Sequence, residues 1–257
     1  MQTISGRGDS ILKSKRKQLI MAKIIEDNYV ALEDLMQLLD SSESTVRRDL
    51  GELEQEGRLH RVHGGAELFH SLQEELSNQE KSVKNSQVKE AIAQKAAQLI
   101  YDNDVIFIDA GTTTECLLPF LQAKNLTVVT NSIHHATRLV ELSIKTIIIG
   151  GYVKQTTDAS IGNVALEQIR QMNFDKAFLG MNGVDDTYLT TPDMEEAVIK
   201  KAVIANAKLS YVLVDSTKIG QVSFVKVAPI DDVTIITEGS QTSILKKIKE
   251  KAKVIEL

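Results

Sequence analysis

Apolar residues near the start of the chain recur with helical spacing. Leu32, Leu35, Met36 and Leu39 fall at i, i+3, i+4 and i+7, and Val46, Leu50 and Leu53 at i, i+4 and i+7. Leu19, Ile20 and Ile24, with Met21, predict an earlier helix over 14–26. A short polar joint, Asp40-Ser41-Ser42, separates the second and third helices, which is the layout of a helix-turn-helix. Ser42 is placed to cap the third helix by accepting from the N–H of Ser44 or Thr45, and Gly57 to stop it at C′. The run Arg58-Leu59-His60-Arg61-Val62-His63 alternates and enters Gly64-Gly65, predicting a strand, a tight turn and a small β-wing.

Beyond Ala66 the pattern lapses. Residues 67–85 are dominated by Glu, Gln, Ser and Lys and read as a partly helical linker. Helical spacing returns at Val88, Ile92, Ala96 and Leu99, followed by short apolar runs at 105–108, 127–130, 146–149, 177–179, 211–214 and 233–237. Helical stretches lie between several of them, as at Val164-Leu166-Ile169-Met172 and Met194-Ala197-Val198-Ala202-Ala205. All-apolar strands alternating with helices predict a mostly parallel sheet covered on both faces. The expected division is a tail at 1–10 (disordered, or an over-called start), a winged helix-turn-helix head at 11–66, the linker at 67–85, and an α/β domain at 86–257.

Charge placement gives the head its chemistry. Ser42, Ser44, Thr45, Arg47 and Arg48 fall largely off the apolar stripe of the third helix, and Arg58, Arg61 and His63 lie on the wing. Hydroxyls and guanidinium forks at the start of such a helix suit a DNA major groove. The plainer reading is two amphipathic helices with solvated arginines. Bulk charge favours that plainer reading: the chain carries −5, and residues 11–66 hold nine Lys/Arg against ten Asp/Glu. Against it stands a partition, with Lys13, Lys15, Arg16 and Lys17 clustered at the first helix and Glu52, Glu54 and Glu56 at the far end of the third.

In a parallel sheet the ligand site lies at the carboxyl ends of the strands. Four loops there carry polar donors: Asp109-Ala110-Gly111-Thr112-Thr113-Thr114 before a helix starting near Glu115, Thr130-Asn131-Ser132, Gly150-Gly151, and Asp215-Ser216-Thr217-Lys218. Taken singly, such loops are helix caps. Together they predict a pocket for a small phosphorylated polyol, with Lys218 neutralising part of the phosphate. His134-His135 lack a partner at metal spacing and read as caps or supporting donors, Cys116 as a small core residue, and Glu195-Glu196 with Lys200-Lys201 as surface pairs. No metal or cofactor is implied. One cysteine permits no internal disulfide, no apolar run approaches a membrane span, and a reducing cytoplasm is the expected setting.

Ser-Glu-Ser-Thr-Val-Arg-Arg-Asp-Leu (42–50), with Arg16 and Leu19-Ile20 before it and Arg61-Val62-His63-Gly64-Gly65-Ala66 after it, resembles the winged DNA-binding head of the DeoR family of bacterial repressors. The likeness extends through Asp-Ala-Gly-Thr-Thr-Thr (109–114), Thr-Asn-Ser (130–132), Phe-Asp-Lys-Ala-Phe-Leu-Gly-Met-Asn-Gly-Val (174–184), Thr-Thr-Pro-Asp (190–193) and Asp-Ser-Thr-Lys (215–218). That effector domain is similar to ribose-phosphate isomerases, glucosamine-phosphate deaminases and CoA transferases. The resemblance implies a sugar-phosphate inducer, relief of repression, and a homodimer or homotetramer on operator DNA. Gly-Gly-Tyr-Val-Lys (150–154) and Lys-Ile-Gly-Gln-Val-Ser-Phe (218–224) resemble the fructose-operon repressors of Gram-positive bacteria, implying fructose 1-phosphate. One departure is Tyr188, where the family often carries glycine, so the local turn is in question.

Two classes of function follow. One is a repressor whose sugar-phosphate domain controls a DNA-binding head. The other is a sugar-phosphate isomerase or deaminase that carries such a head. Isomerisation needs a poised base, and Asp109 is the strand-end acid available, with no histidine to tune it. Binding without turnover is the favoured expectation.

Overall fold

The computed structural model describes residues 12–27, 29–62, 64–68, 72–73, 75–239 and 242–257. The expectations for the tail at 1–10 and for His63 lie outside these residues. The chain forms two compact units, Met1–Ser71 and Leu72–Leu257.

The first unit runs α1 (Lys13–Asp27), β1 (Tyr29–Ala31), α2 (Leu32–Leu39), α3 (Glu43–Gln55), β2 (Leu59–Val62) and β3 (Gly65–Leu68). Its core is built from the stripes read in the sequence: Ile20 and Ile24 from α1, Leu35 and Leu39 from α2, and Val46, Leu50 and Leu53 from α3. Asp40 ends α2 at φ 43, and the N–H groups of Asp40 and Ser41 close the last turn on the Gln37 and Met36 carbonyls. Gly57, at φ 68, stops α3 in the same way, with the Arg58 N–H donating to Leu53 O.

One local expectation is corrected. Ser42 stands at the N-cap of α3, but its hydroxyl accepts no backbone N–H. It bonds instead to the hydroxyls of Ser44 (3.1 Å) and Thr45 (3.0 Å), a competing local arrangement open to neighbouring Ser and Thr. The wing is also larger than predicted. Three antiparallel strands lie in the order β1-β3-β2, and a Cβ at Gly65 would sit 2.3 Å from the Val30 carbonyl oxygen, so only glycine lets β1 and β3 approach.

The second unit begins with α4 (Asn78–Ser82), α5 (Ser86–Ala97), β4 (Val105–Ile108), α6 (Thr112–Glu115), β5 (Thr127–Thr130), α7 (Ile133–Glu141) and β6 (Lys145–Ile148). It continues with β7 (Tyr152–Lys154), β8 (Ala159–Ile161), α8 (Asn163–Arg170), β9 (Phe174–Gly180), β10 (Gly183–Val184), β11 (Tyr188–Thr191) and α9 (Met194–Asn206). The last elements are β12 (Ala207–Leu213), β13 (Val225–Pro229), β14 (Thr234–Thr237), α10 (Ser243–Lys251) and β15 (Lys253–Glu256).

Seven parallel strands form the central sheet, in the order β15-β14-β12-β9-β4-β5-β6. One face buries Ile106 and Val128 beneath Ile92 of α5 and Leu139 of α7. The other buries Phe107 and Val129 beneath Ile169 of α8 and Val203 of α9. Strand order reverses between β4 and β9, which makes that boundary the topological switch point.

Residues 75–85 are more ordered than their composition predicts. A capping box, Ser77 with Glu80, starts α4, and Asn78 donates from its backbone to Thr156 O (2.9 Å) and from its side chain to Thr157 O (2.7 Å). The polar residues here serve as caps and docking donors. The helix after β4 likewise begins at Thr112 rather than near Glu115, so Cys116 closes it instead of opening it. At the departure noted above, Tyr188 follows a turn closed by Asp185, whose carboxylate accepts the N–H of Thr187 and of Tyr188 (both 2.6 Å). No positive φ occurs at residue 188, so the turn needs no glycine.

Candidate functional site

Two faces deserve description, one on each unit. On the head, Ser44, Arg47 and Arg48 are exposed on α3, and Thr45 is half-buried. Ser44 and Arg48 are one turn apart, and Gly51 continues the same stripe. A Cβ at Gly51 would lie 3.5 Å from a guanidinium nitrogen of Arg61, so the absent side chain leaves room for the wing arginine over α3. Arg48 and Arg61 are exposed and, among the described residues, neither has a carboxylate partner. Arg47 is held by Glu43 at 2.7 Å, and Arg58 lies 3.6 Å from Glu56. Two free guanidiniums beside the hydroxyls of Ser42, Ser44 and Thr45 thus form the basic face.

The expected contribution of the α1 cluster is corrected. Arg16 donates to buried Asp49 through Nε (2.7 Å) and Nη2 (3.2 Å), and Lys13 and Lys17 reach Glu52 at 2.6 and 2.8 Å. Lys17 also meets Glu56 at 2.7 Å. These pairs bond α1 to α3, and they hold the Glu52 carboxyl down at about 2. Sequence separation hid the pairing, because α1 and the second half of α3 become neighbours only in the folded head. Internal neutralisation thus takes up Lys13, Arg16 and Lys17, and among the described residues Lys15, Arg48 and Arg61 are left without a carboxylate partner.

In the second unit, the switch point is sealed by a buried ion pair. Asp109, at the end of β4, accepts the Gly180 N–H (3.1 Å) and pairs with the ammonium of Lys200, which also donates to Gly180 O (3.1 Å). Burial pushes the Asp109 carboxyl up. Burial alone would lower Lys200, but the Asp109 charge beside it raises it, so the ammonium stays protonated. The surface pairs expected for Glu195-Glu196 and Lys200-Lys201 are corrected here: Glu196 and Lys200 are buried. Glu196 accepts from Thr157 (2.8 Å) and Lys154 (3.2 Å), and Lys154 also bonds Asp193 (2.8 Å) and Glu75.

Beside this network stand three more ammonium groups. Lys89 of α5 donates to Thr112 Oγ1 (2.9 Å), Lys81 of α4 lies 3.6 Å from Glu75, and half-buried Lys218 follows β12. Among the described residues Lys218 has no carboxylate partner. Burial lowers the pKa of Lys81 and of Lys89, and the charge of Lys218 adds to the lowering in both. Nearby carboxylates act the other way, Glu75 and Glu196 at Lys81 and Asp215 at Lys89, and an anion placed beside these ammonium groups would likewise favour their charged forms.

The remaining predicted residues divide. Thr112 and half-buried Thr113 line this corner, whereas the Thr114 hydroxyl turns inward to Asp109 O (2.7 Å) and Gly111 O (2.8 Å). Gly111 has an extended backbone, with Thr114 Oγ1 3.2 Å from where its Cβ would be. Asn131 joins the β5 loop to the β4 loop by accepting the Ala110 N–H (2.9 Å), Thr130 accepts from Ser132 N–H (3.1 Å), and Ser132 caps α7. Gly150 and Gly151 do not join them. They follow β6 at the sheet edge, where Gly150 exchanges bonds with Gln168 of α8 (3.1 and 3.2 Å).

Comparison with known proteins decides the family. Residues 16–72 match the model of the DeoR-like helix-turn-helix domain, and residues 84–239 match that of the DeoR C terminal sensor domain. The chain belongs to the DeoR family.

Among family relatives, it is 43% identical over 246 residues to the uncharacterized HTH-type transcriptional regulator FruR of Bacillus subtilis, covering 95% of this chain and 98% of that one. It is 32% identical over 231 residues to a lactose phosphotransferase system repressor of Staphylococcus epidermidis, covering 88% and 92%. Among solved structures, ribose 5-phosphate isomerase A of Methanocaldococcus jannaschii is similar at a TM-score of 0.40 and 20% identity, over 52% of this chain and 55% of that one. No helix among the described residues is long and apolar enough to cross a membrane. Nor does any group of three His, Cys, Asp or Glu there form a metal site.

His135 is buried in the DeoR-family sensor domain, at the start of α7. Its ring is buried against the Gly111 backbone, its Nδ1 has no partner among the described residues, and burial, then the neighbouring His134, pushes it down to about 3. A histidine depressed in the folded state takes up its proton on unfolding, so its contribution is present above the unfolded value near 6.5 and is lost as pH falls. Between pH 7 and 5 the loss is about 2 kcal/mol. Urea titrations at the two pH values are expected to show it in the wild type and to show less in His135→Gln. Equal losses in both proteins would refute the assignment.

Proposed function

We propose that this DeoR-family protein is a transcriptional repressor of a sugar-utilisation operon. In this reading α3 and the wing bind operator DNA, with Arg48 and Arg61 as principal cations. A phosphorylated sugar binds the sensor domain between the β4 and β12 loops and relieves repression. The observation that carries the reading is the grouping of Lys81, Lys89 and Lys218 beside the β4 loop, with Lys89 donating to Lys81 O (2.5 Å) and to Thr112 Oγ1 (2.9 Å), and with Lys89 and Lys218 lacking a carboxylate partner among the described residues. A phosphate dianion supplies the missing charge and can accept from all three.

The inducer is fructose 1-phosphate in this proposal, following the fructose-type segments at 150–154 and 218–224. Lys154 belongs to the charged network, and the loop after Lys218 packs on β10 through Gly220 N–H to Val184 O (2.8 Å). The role is binding without turnover. Asp109, the acid an isomerase would use as a base, is occupied by Lys200 and Gly180. Lys81 lies on α4, a few residues after the head ends, so the segment leaving the head carries one of the cations that the ligand engages. A ligand that binds one position of that segment more tightly shifts the population of head arrangements by that difference.

A thermal-shift panel tests the reading. Fructose 1-phosphate is expected to raise Tm, unphosphorylated fructose to leave it unchanged, and other sugar phosphates to act more weakly. No response to any sugar phosphate, or their conversion at enzyme-like rates, would overturn it.

A further inference from the structure

The second unit begins at Leu72, and three contacts fasten its first residues to the rest of the sensor domain. Leu72 O accepts the Phe224 N–H (2.9 Å), and Glu75 pairs with the ammonium of Lys154. Asn78 then donates to Thr156 O (2.9 Å) and Thr157 O (2.7 Å). The first two fastenings adjoin the cations described above. Phe224 lies on the loop that starts at Lys218, and Glu75 is 3.6 Å from Lys81.

Three carboxylates share Lys154, and Glu75 is the least supported of them. Asp193 (2.8 Å) also accepts the Glu196 N–H (2.9 Å) at the start of α9, and Glu196 (3.2 Å) also accepts the Thr157 hydroxyl (2.8 Å). The Glu75 side chain has no such second bond among the described residues, although it is only 11% exposed. One of its oxygens takes the Lys154 bond, and the other, Oε1, is buried and accepts no hydrogen bond. What faces Oε1 is the Lys81 ammonium, within ion-pairing range but beyond a hydrogen bond. Two ammonium groups thus face three acids, and Lys81 is the loosely held one. A buried carboxylate that loses its counter-charge is strongly destabilised.

We propose that residues 72–77 form a strap latched to the sensor domain through Glu75, and that a phosphorylated ligand opens the strap by drawing Lys81 away from Glu75. This latch rests on reading Lys81, Lys89 and Lys218 as the phosphate site. A dianion among those lysines offers Lys81 short, charge-assisted bonds in place of a 3.6 Å contact, and it repels Glu75 as well. Glu75 then leaves, because Asp193 and Glu196 are fixed by α9 and Glu75 is not. The single backbone bond at exposed Leu72 does not hold the strap alone. Asn78 keeps its two bonds, so the opening stops at the start of α4. In the latched form the tether to the head starts from Leu72. Opened, it starts from Asn78 and gains up to about 20 Å of reach.

Native-state proteolysis of the full chain by thermolysin, which cuts before leucine, reads the strap at the Glu75–Leu76 bond. Cleavage there is expected to be slow in the free wild type, and saturating fructose 1-phosphate or inorganic phosphate should speed it about fivefold or more. Lys81→Met and Glu75→Gln should each be cut rapidly without ligand. Calorimetry with the same two probes should move the variants in opposite directions. Lys81→Met is expected to bind about tenfold more weakly, whereas Glu75→Gln, relieved of the competing carboxylate, should bind about fivefold more tightly. A variant that had merely loosened the fold would bind more weakly in both cases. Probes that bind the wild type but leave its cleavage unchanged or slowed would overturn the strap and leave the phosphate site standing. Failure of both probes to bind would remove the site and the latch together. Wild-type cleavage rates in both variants, or weaker binding in Glu75→Gln, would also overturn the proposal.

Discussion

Arg48→Ala is expected to lower affinity for operator DNA about 30-fold or more, with sugar-phosphate binding unchanged. The expectation rests on what Arg48 lacks. It is exposed on α3 and has no carboxylate partner among the described residues, so DNA gains its full charge without a competing acid. Arg47 must first leave Glu43, 2.7 Å away, although both groups are half-exposed and that exchange costs little. Arg47→Ala is therefore expected to be the milder variant. A loss of one phosphate contact would also flatten the salt dependence of log K by about one unit, whereas a lost base contact would relax sequence preference. Fluorescence anisotropy at several salt concentrations separates the two. Equal loss of operator and sugar-phosphate binding in Arg48→Ala would instead indicate a misfolded protein.

The second large effect is expected at Lys218. Lys218→Ala should weaken binding of a phosphorylated inducer on the order of 50-fold, the scale of one charge-assisted hydrogen bond to phosphate, and leave operator affinity intact. Lys218 is half-buried and free of carboxylate partners, so its removal strands no acid and opens no core. Lys89→Ala would be a less clean variant because Lys89 also donates to Thr112. Calorimetric titration with fructose 1-phosphate reads the difference. An unchanged affinity in Lys218→Ala would remove Lys218 from the site.

The residues that control these two variants differ in how far the sequence reveals them. Arg48 is legible because α3 is a regular helix, and a period of 3.6 fixes which residues face outward once Val46, Leu50 and Leu53 are assigned to the core. Lys218 is legible because β12 is an apolar run and a polar loop must follow it. Strands β4 and β5 are similarly plain. The Asp109–Lys200 pair is not, because 91 residues separate its members. Glu196 and Lys200 look like an ordinary surface i,i+4 pair, but they lie on the buried face of α9 with Ala197, Ile199 and Val203, while Glu195 and Lys201 are exposed. Lys81 and Lys89 are hidden for the same reason, being lysines on polar helices whose role depends on docking. Strand β15, Lys253-Val254-Ile255-Glu256, has only two apolar residues between charged ends and escapes a search for all-apolar runs. Lys13, Arg16 and Lys17 of α1 mislead in the other direction, since most of a basic cluster in sequence becomes a set of ion pairs in the fold.

Coupling between the two units is best tested on one complex. Labelled operator bound to the wild-type protein is titrated with fructose 1-phosphate and, in parallel, with fructose, while anisotropy is followed; Lys218→Ala is run alongside. Release of operator by the phosphorylated sugar alone, with the response displaced to much higher concentration in Lys218→Ala, is the predicted result. Operator retained at saturating fructose 1-phosphate and at every other sugar phosphate, or released equally well from Lys218→Ala, would contradict it.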